Sequence, residues 1–329
     1  MSYKIIMQNL LSSNTYKTMK LLRTSPKYID IYKKIRPILT DVSLRDGLQT
    51  ERRDDWPISK KKDLLHEIVF VEKPHKIEVG SFVSPHLLPI MGDTDQMFHY
   101  ASNMKHLYED SKPIFPKTLE IYVLVPSHKK LEEALKNNVK HMSFVTSCSN
   151  RFQKKNVNKT IEETKEDLDK IFEVLKKPEN QDIKKKLYIS CITECPIEGK
   201  IDMDYILHEI CRYNTIYELD EICLSDTCGT LTFEDYKYIV ETLFHFGILR
   251  TKIGLHLHVD TGNEGEARQI VNYSLKNNIS RFDVSVLTSG GCSLTIKQAK
   301  PNMTYDFFYG CLYSYLIDDI HLSLTDDNS

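Results

Sequence analysis

The chain has 329 residues, 41% of them hydrophobic and 27% charged, with a formal net charge of −2. That size and composition exclude global disorder and suit one large α/β domain with extensions. The near-neutral balance carries no nucleic-acid or membrane footprint, and no apolar run is long enough to span a bilayer.

Residues 1–29 carry Lys4, Lys17, Lys20, Arg23 and Lys27 and no acid. That composition suits an organellar transit peptide, and with it the mitochondrial matrix. It suits equally a partly helical basic extension of a cytoplasmic protein. Residues 1–35 are therefore set apart from the fold. From Arg36 onward, apolar or β-branched runs recur at 38–44, 76–82, 119–125, 141–147, 187–193, 221–227, 252–259 and 281–287. Segments with helical apolar spacing lie between them, at 60–71, 131–137, 161–175, 203–213, 233–246 and 264–277, with a last one at 303–317. Near-continuous apolar runs are expected of parallel strands covered on both faces. Eight β/α repeats predict an α/β fold of the closed (β/α)8 TIM-barrel type over residues 36–317, followed by a polar tail, 318–329, that frays. No G-x-G-x-x-G follows the first strand, which counts against a dinucleotide-binding sheet.

The eight cysteines are scattered, which fits reduced thiols in an intracellular protein better than a disulfide framework. Cys191 and Cys195 are too far apart for a C-x-x-C zinc ribbon. Short lysine clusters at 60–62, 154–155 and 184–186 are read as solvated faces.

Active sites of such barrels sit at the C-terminal ends of the strands. Reactive residue types gather there: Arg45 and Asp46 after the first strand, Glu78 in the second, Asp226 after the sixth, His256 and His258 in the seventh, and Cys292 behind two glycines after the eighth. On a strand, residues two apart face the same way, so His256 and His258 offer two imidazole nitrogens to one divalent metal. An HxH alone is as well read as two ordinary histidines. An Arg-Asp pair alone is a solvated ion pair, and a strand-end acid alone caps the next helix. The convergence favours function. Asp46, His256 and His258 form an oxygen/nitrogen set that leaves room for water and substrate, as a catalytic Mg²⁺ or Mn²⁺ requires.

Several stretches resemble one family, 3-hydroxy-3-methylglutaryl-CoA lyase, among the metal-dependent TIM-barrel lyases. They are RDGLQTE (45–51), GSFVSPHLLPIMGD (80–93), NRFQKKNVNKTIEET (150–164), YISCITECPIEGKI (188–201), SDTCG (225–229), HLHVDTG (256–262) and SGGCS (289–293). The resemblance implies retro-Claisen cleavage of 3-hydroxy-3-methylglutaryl-CoA to acetyl-CoA and acetoacetate. It implies Asp46, His256, His258 and Asn302 as metal ligands and Arg45 at the enolate oxygen. Cys292 would be the acid that protonates the enolate carbon, and Glu78 and Asp226 would support removal of the hydroxyl proton. Gln49, in the Leu-Gln that distinguishes the lyase from related acyl-transferring synthases, would meet substrate, and Lys154 and Lys155 the CoA phosphates. A homodimer is left open. The chain departs from the family at Val259, where an Asp usually follows the second His, and in the stretch from Cys292 to Asn302. These departures keep open a related aldolase or acyl-CoA condensing enzyme, or a catalytically impaired homologue.

Overall fold

Eight short strands close into a parallel barrel: β1 Ile38–Asp41, β2 Lys76–Ser81, β3 Glu120–Leu124, β4 His141–Ser147, β5 Lys184–Ser190, β6 Glu221–Ser225, β7 Ile253–His256 and β8 Arg281–Val284. Each strand pairs with its sequence neighbours, and β8 closes on β1 in the register Ile38↔Arg281 to Asp41↔Val284. This computed structural model describes residues 13–24, 26–104, 118–291 and 300–326.

Parallel neighbours need crossovers, and amphipathic helices supply them. Following two N-terminal helices, α1 Asn14–Thr24 and α2 Pro26–Ile35, come α3 Ile58–Glu67, α4 Thr94–Ser102, α5 His128–Lys136, α6 Asn150–Val157, α7 Ile161–Leu175, α8 Met203–Ile216, α9 Phe233–His245, α10 Glu264–Lys276 and α11 Tyr305–Asp326. The longest of the inner crossovers, α7, shows why such a segment is helical. Thr160 and Glu163 form a reciprocal capping box, and Leu168, Ile171, Phe172 and Leu175 recur at helical spacing and are buried. Phe172 then stacks on Tyr217 from α8's end, ring centroids 4.3 Å apart. Burying each such side chain contributes about 1.5–3 kcal/mol.

The barrel interior is polar. Alternation puts Lys186, Tyr188 and Ser190 of β5 on one face and the buried Leu187 and Ile189 on the other, under the helices. Inside, Lys186 meets Glu221 of β6 (3.2 Å) and Asp283 of β8 (2.5 Å). Glu221 also takes Lys76 (2.7 Å) and Arg281 (3.0 Å). Gly254 on β7 leaves room for this cluster, since a Cβ there would stand 2.6 Å from Glu221 Oε1.

Four expectations are corrected here. Lysines 184–186 are not one solvated face: Lys184 is exposed but Lys186 is wholly buried, because alternation turns it inward onto two carboxylates. Lys61 is likewise buried, on Asp93 at 2.6 Å. Residues 14–35 are not apart from the fold: Leu22, Ile31, Tyr32 and Ile35 join the main core, and Thr18 Oγ1 donates to Tyr309 O at 2.9 Å. The expected polar tail is helical as far as Asp326, because α11 runs on past residue 317.

Candidate active site at the C-terminal rim of the barrel

β1 stops at Asp41, and the chain then makes a wide π-helical turn, Ser43–Gly47, that carries Arg45 and Asp46 into the barrel mouth. The two residues are therefore on a turn, not on a strand end. Both are buried. Arg45 Nη1 donates to Asp46 Oδ1 (2.6 Å) and Nε donates to Glu78 Oε2 (2.5 Å). Burial alone would raise the Asp46 pKa, but the Arg45 guanidinium, with His256 and His258 beside it, holds the carboxyl well below the usual carboxylate range. Asp46 is thus an anion ready to bind a cation.

His256 ends β7. His258 follows two residues later and forms an isolated bridge with Asn302. The bridge forms because the segment before α11 runs back along the end of β7. There the Val259 N–H donates to Pro301 O (2.8 Å), and the Met303 N–H donates to Leu257 O (2.9 Å). The two imidazole rings stand at 78° with centroids 5.0 Å apart. His256 Nδ1 faces Asp283 Oδ2 at 3.2 Å, and His258 Nδ1 faces Lys300 O at 2.9 Å. An acceptor opposite Nδ1 puts the proton there and leaves the Nε2 lone pair for a metal. Burial and the neighbouring His256 bring His258 down to about 4, so it is neutral near pH 7.

One ligand atom from each of Asp46, His256 and His258 lies within 4.8 Å of the others. Asn302, also buried, donates Nδ2–H to Asp46 Oδ2 (3.0 Å), while its Oδ1 is buried without a hydrogen-bond partner among the described residues. A buried carbonyl oxygen left unmatched beside a carboxylate and two imidazoles fits a bound divalent cation. Gly290 permits the approach: its φ is +139°, and a Cβ there would overlap Asn302 Nδ2. A second grouping, Glu221, Cys223 and Asp283, has comparable spacing but is already matched by Lys76, Lys186 and Arg281.

Asp46, His256 and His258 open onto a cavity of about 150 Å³. Its lining combines Arg45, Gln49 and Tyr188 with the apolar Leu88, Met91, Leu124, Val145 and Phe152. Gln49 Nε2 donates to Asp46 Oδ1 (2.9 Å) and to Gly291 O (2.7 Å), and Gly291 N–H donates to Asp46 Oδ2 (2.9 Å). The loop after β8 is thereby tied to the first turn. Cys292 lies outside the described residues.

Glu78, Asp226, Lys154 and Lys155 stand elsewhere than the cavity wall. Glu78 is fully buried behind Arg45, accepting from Arg45, from Tyr188 OH (3.1 Å) and from Ser143 Oγ. Asp226 follows Ser225, and alternation turns it out of the barrel; its oxygens accept from Thr230 N (3.0 Å) and Leu231 N (3.1 Å), and burial pushes it up to about 6. It holds its own loop through these two amides. Lys154 is exposed and 3.5 Å from Glu163, and Lys155 is exposed; their helix α6 presents Phe152, Asn156 and Val157 to the cavity instead. Asp260 does not replace the acid missing at Val259: it accepts from Gly262 N (2.8 Å) and pairs with Lys300 (3.4 Å).

Sequence reasoning missed Asp283, Tyr188, Ser143 and Lys186. The signal was present: a charged residue inside an otherwise apolar barrel strand must find a partner in the interior.

The architecture is that of a TIM-barrel enzyme with a metal-ligating set at its catalytic rim. The HMGL-like family profile matches residues 36–292. The chain belongs to the HMGL-like family, and with it to the carbon–carbon lyases. It is 28% identical over 267 residues to a 3-hydroxy-3-isohexenylglutaryl-CoA/hydroxymethylglutaryl-CoA lyase of Pseudomonas aeruginosa, covering 80% of each chain. It is 30% identical over 256 residues to the mitochondrial hydroxymethylglutaryl-CoA lyase of Macaca fascicularis, covering 77% of this chain and 71% of the relative. Among solved structures, hydroxymethylglutaryl-CoA lyase from P. aeruginosa superposes with a TM-score of 0.69 at 27% identity, over 85% of this chain and 86% of that one. An HMG-CoA lyase from Acinetobacter baumannii, in complex with coenzyme A and 3-methylmalate, gives 0.67 at 25%, over 82% and 80%. Among the described residues no helix is long and apolar enough to cross a membrane.

Proposed function

We propose that the protein cleaves 3-hydroxy-3-methylglutaryl-CoA to acetyl-CoA and acetoacetate, using Mg²⁺ or Mn²⁺. The observation that carries this reading is the Asn302 Oδ1, unmatched among the described residues, beside Asp46, His256 and His258, at a cavity whose rim also holds Arg45. Those four side chains would hold the ion. When bound, it would act as a Lewis acid on the substrate's hydroxyl and carboxylate oxygens.

The chain's own residues account for the rest. Arg45 is fixed on two sides, by Glu78 and Asp46, so its charge is preorganised for the oxygen of the departing acetyl-CoA enolate. Its guanidinium carbon also lies 4.9 Å over the Tyr188 ring, which restricts its motion. As the hydroxyl gives its proton to a carboxylate, a removal the family resemblance assigns to Glu78 and Asp226, the C2–C3 bond breaks, its electrons pass into the thioester enolate, and acetoacetate departs. The enolate carbon then takes a proton, which the family resemblance assigns to Cys292. The apolar lining of the cavity would shelter the acyl chain, and Gln49 holds Gly291, at the start of the loop after β8. An acyl-CoA substrate agrees with the coenzyme A bound in the A. baumannii relative. A mitochondrial location agrees with the mammalian relatives.

The test is acetoacetate release from 3-hydroxy-3-methylglutaryl-CoA by purified protein with Mg²⁺ or Mn²⁺, beside His256→Ala and Cys292→Ala. Metal-dependent turnover lost in both variants supports the reading. Tight metal binding without turnover moves the substrate to another acyl-CoA, the aldolase or condensing alternative. Neither would leave a catalytically impaired homologue.

A further inference from the structure

The barrel interior holds two groups of ion pairs: Arg45 with Asp46 and Glu78 at the mouth, and Lys76, Lys186 and Arg281 with Glu221 and Asp283 below it. Within the lower group, Lys186 joins Glu221 to Asp283. It has no exposed surface. Its Nζ reaches Asp283 Oδ1 at 2.5 Å and Glu221 Oε1 at 3.2 Å, and it lies 4.5 Å from the Tyr188 ring centroid. The other oxygen of Asp283 faces His256 Nδ1 at 3.2 Å. Glu221 is shared with Lys76 and Arg281, whereas His256 and Lys186 are the ion-pair partners of Asp283 among the described residues.

We infer that Lys186 is a positioning residue for the metal site, acting through Asp283 on His256. The inference rests on the metal reading above. A carboxylate inside a barrel has several rotamers and several donors to choose from. Lys186 fixes which oxygen of Asp283 is used where: Oδ1 is taken, so Oδ2 is presented to the imidazole. That contact puts the His256 proton on Nδ1 and aims Nε2 at Asp46, 3.9 Å away. Lys186 also supplies the full positive charge opposite the buried Asp283 carboxylate. Tyr188 couples this arrangement to the opposite wall. Its hydroxyl donates to Glu78, and its ring meets His256 edge-on at 5.9 Å. The lysine acts from below the rim and touches no atom of the Asp46, His256, His258 and Asn302 set directly.

Three variants test this: Lys186→Met, which keeps the side chain's length without its charge; Asp283→Asn; and the double variant. Two quantities are read. The first is the His256 tautomer in metal-free protein, from ¹⁵N chemical shifts of labelled histidine. The second is the Mn²⁺ dissociation constant by calorimetry. Wild type should show the Nδ1–H form. Lys186→Met should give a mixture of tautomers and bind Mn²⁺ about 10–100-fold more weakly, the range for outer partners of metal-bound histidines. The double variant should bind no more weakly than Asp283→Asn alone, because Lys186 acts through Asp283. Should Lys186→Met fail to fold, Asp283→Asn, which retains the Lys186–Glu221 pair, carries the same prediction. A folded Lys186→Met protein with wild-type tautomer and wild-type Mn²⁺ affinity overturns the inference, as does additive loss in the double variant. Wild-type protein that binds no Mn²⁺ sinks the metal reading, and the inference with it. Mn²⁺ binding without cleavage of the CoA thioester sinks only the proposed substrate, and the affinity series still decides the role of Lys186.

Discussion

Glu78→Gln is the substitution that most sharply separates the roles at the barrel mouth. Glu78 is wholly buried, and Arg45 Nε and Tyr188 OH both donate to its Oε2, at 2.5 and 3.1 Å, while Ser143 Oγ donates to Oε1. A glutamine keeps the shape but offers one carbonyl oxygen and adds an NH₂ group of its own. The Ser143 hydroxyl can turn to accept from that NH₂. The charge opposite Arg45 is lost, leaving Asp46 as its remaining carboxylate partner at 2.6 Å. Removing one member of a buried ion pair costs about 3–5 kcal/mol. Deleting the neutral donor in Ser143→Ala should cost about 1 kcal/mol. Urea unfolding followed by far-UV circular dichroism measures both, with the m-value checked for constancy. Because Arg45 loses one of its two anchors, turnover should also fall, by about 100-fold if the guanidinium moves by an ångström. A Glu78→Gln protein destabilised by less than about 1 kcal/mol, with turnover intact, would show that Asp46 alone positions Arg45.

Leu22→Ala should cost about 2–5 kcal/mol, since Leu22 is fully buried in the core that α1 shares with the barrel; a thermal melt unchanged from wild type would show that α1 is dispensable. Asn302→Ala should weaken Mn²⁺ binding by about tenfold or more, and equal calorimetric affinities would remove Asn302 from the ligand set. Burial raises Asp41 to about 7 against the hydrogen bonds from Ser43 and Tyr305. The folded state therefore holds this proton more tightly than the unfolded chain does. The resulting stability is complete below about pH 4 and is lost as the pH rises to about 7. Relative to Asp41→Asn, wild type should lose on the order of 4 kcal/mol at most across that window, and urea midpoints that stay parallel from pH 5 to pH 8 would contradict the assignment.

The barrel was legible because all eight strands are marked by apolar runs, and several of those runs end in reactive residues. What periodicity misplaced was where those strands stop. β1 ends at Asp41 and a π-helical turn takes over, so Arg45 and Asp46 reach the site by turn geometry that no alternation pattern announces. The His-x-His pair was readable from spacing. Its outer partners were not, because Asp283 comes from a neighbouring strand and the Lys300 carbonyl from a segment that pairs with residues 257–259 only in the folded chain. Lys186 was misread because three successive lysines look solvated until a strand turns one of them inward. Asp226 sits at a strand end of the right kind, and what spacing could not announce is that the Thr230 and Leu231 amides of its own loop donate to its carboxylate.

The most direct test of the site is the location of Mn²⁺ by anomalous diffraction from crystals grown with the ion. One Mn²⁺ per chain within about 2.4 Å of Asp46, His256 Nε2, His258 Nε2 and Asn302 Oδ1 is the predicted result. An ion seated at Glu221, Cys223 and Asp283, or one that Asn302 does not reach, would contradict the account.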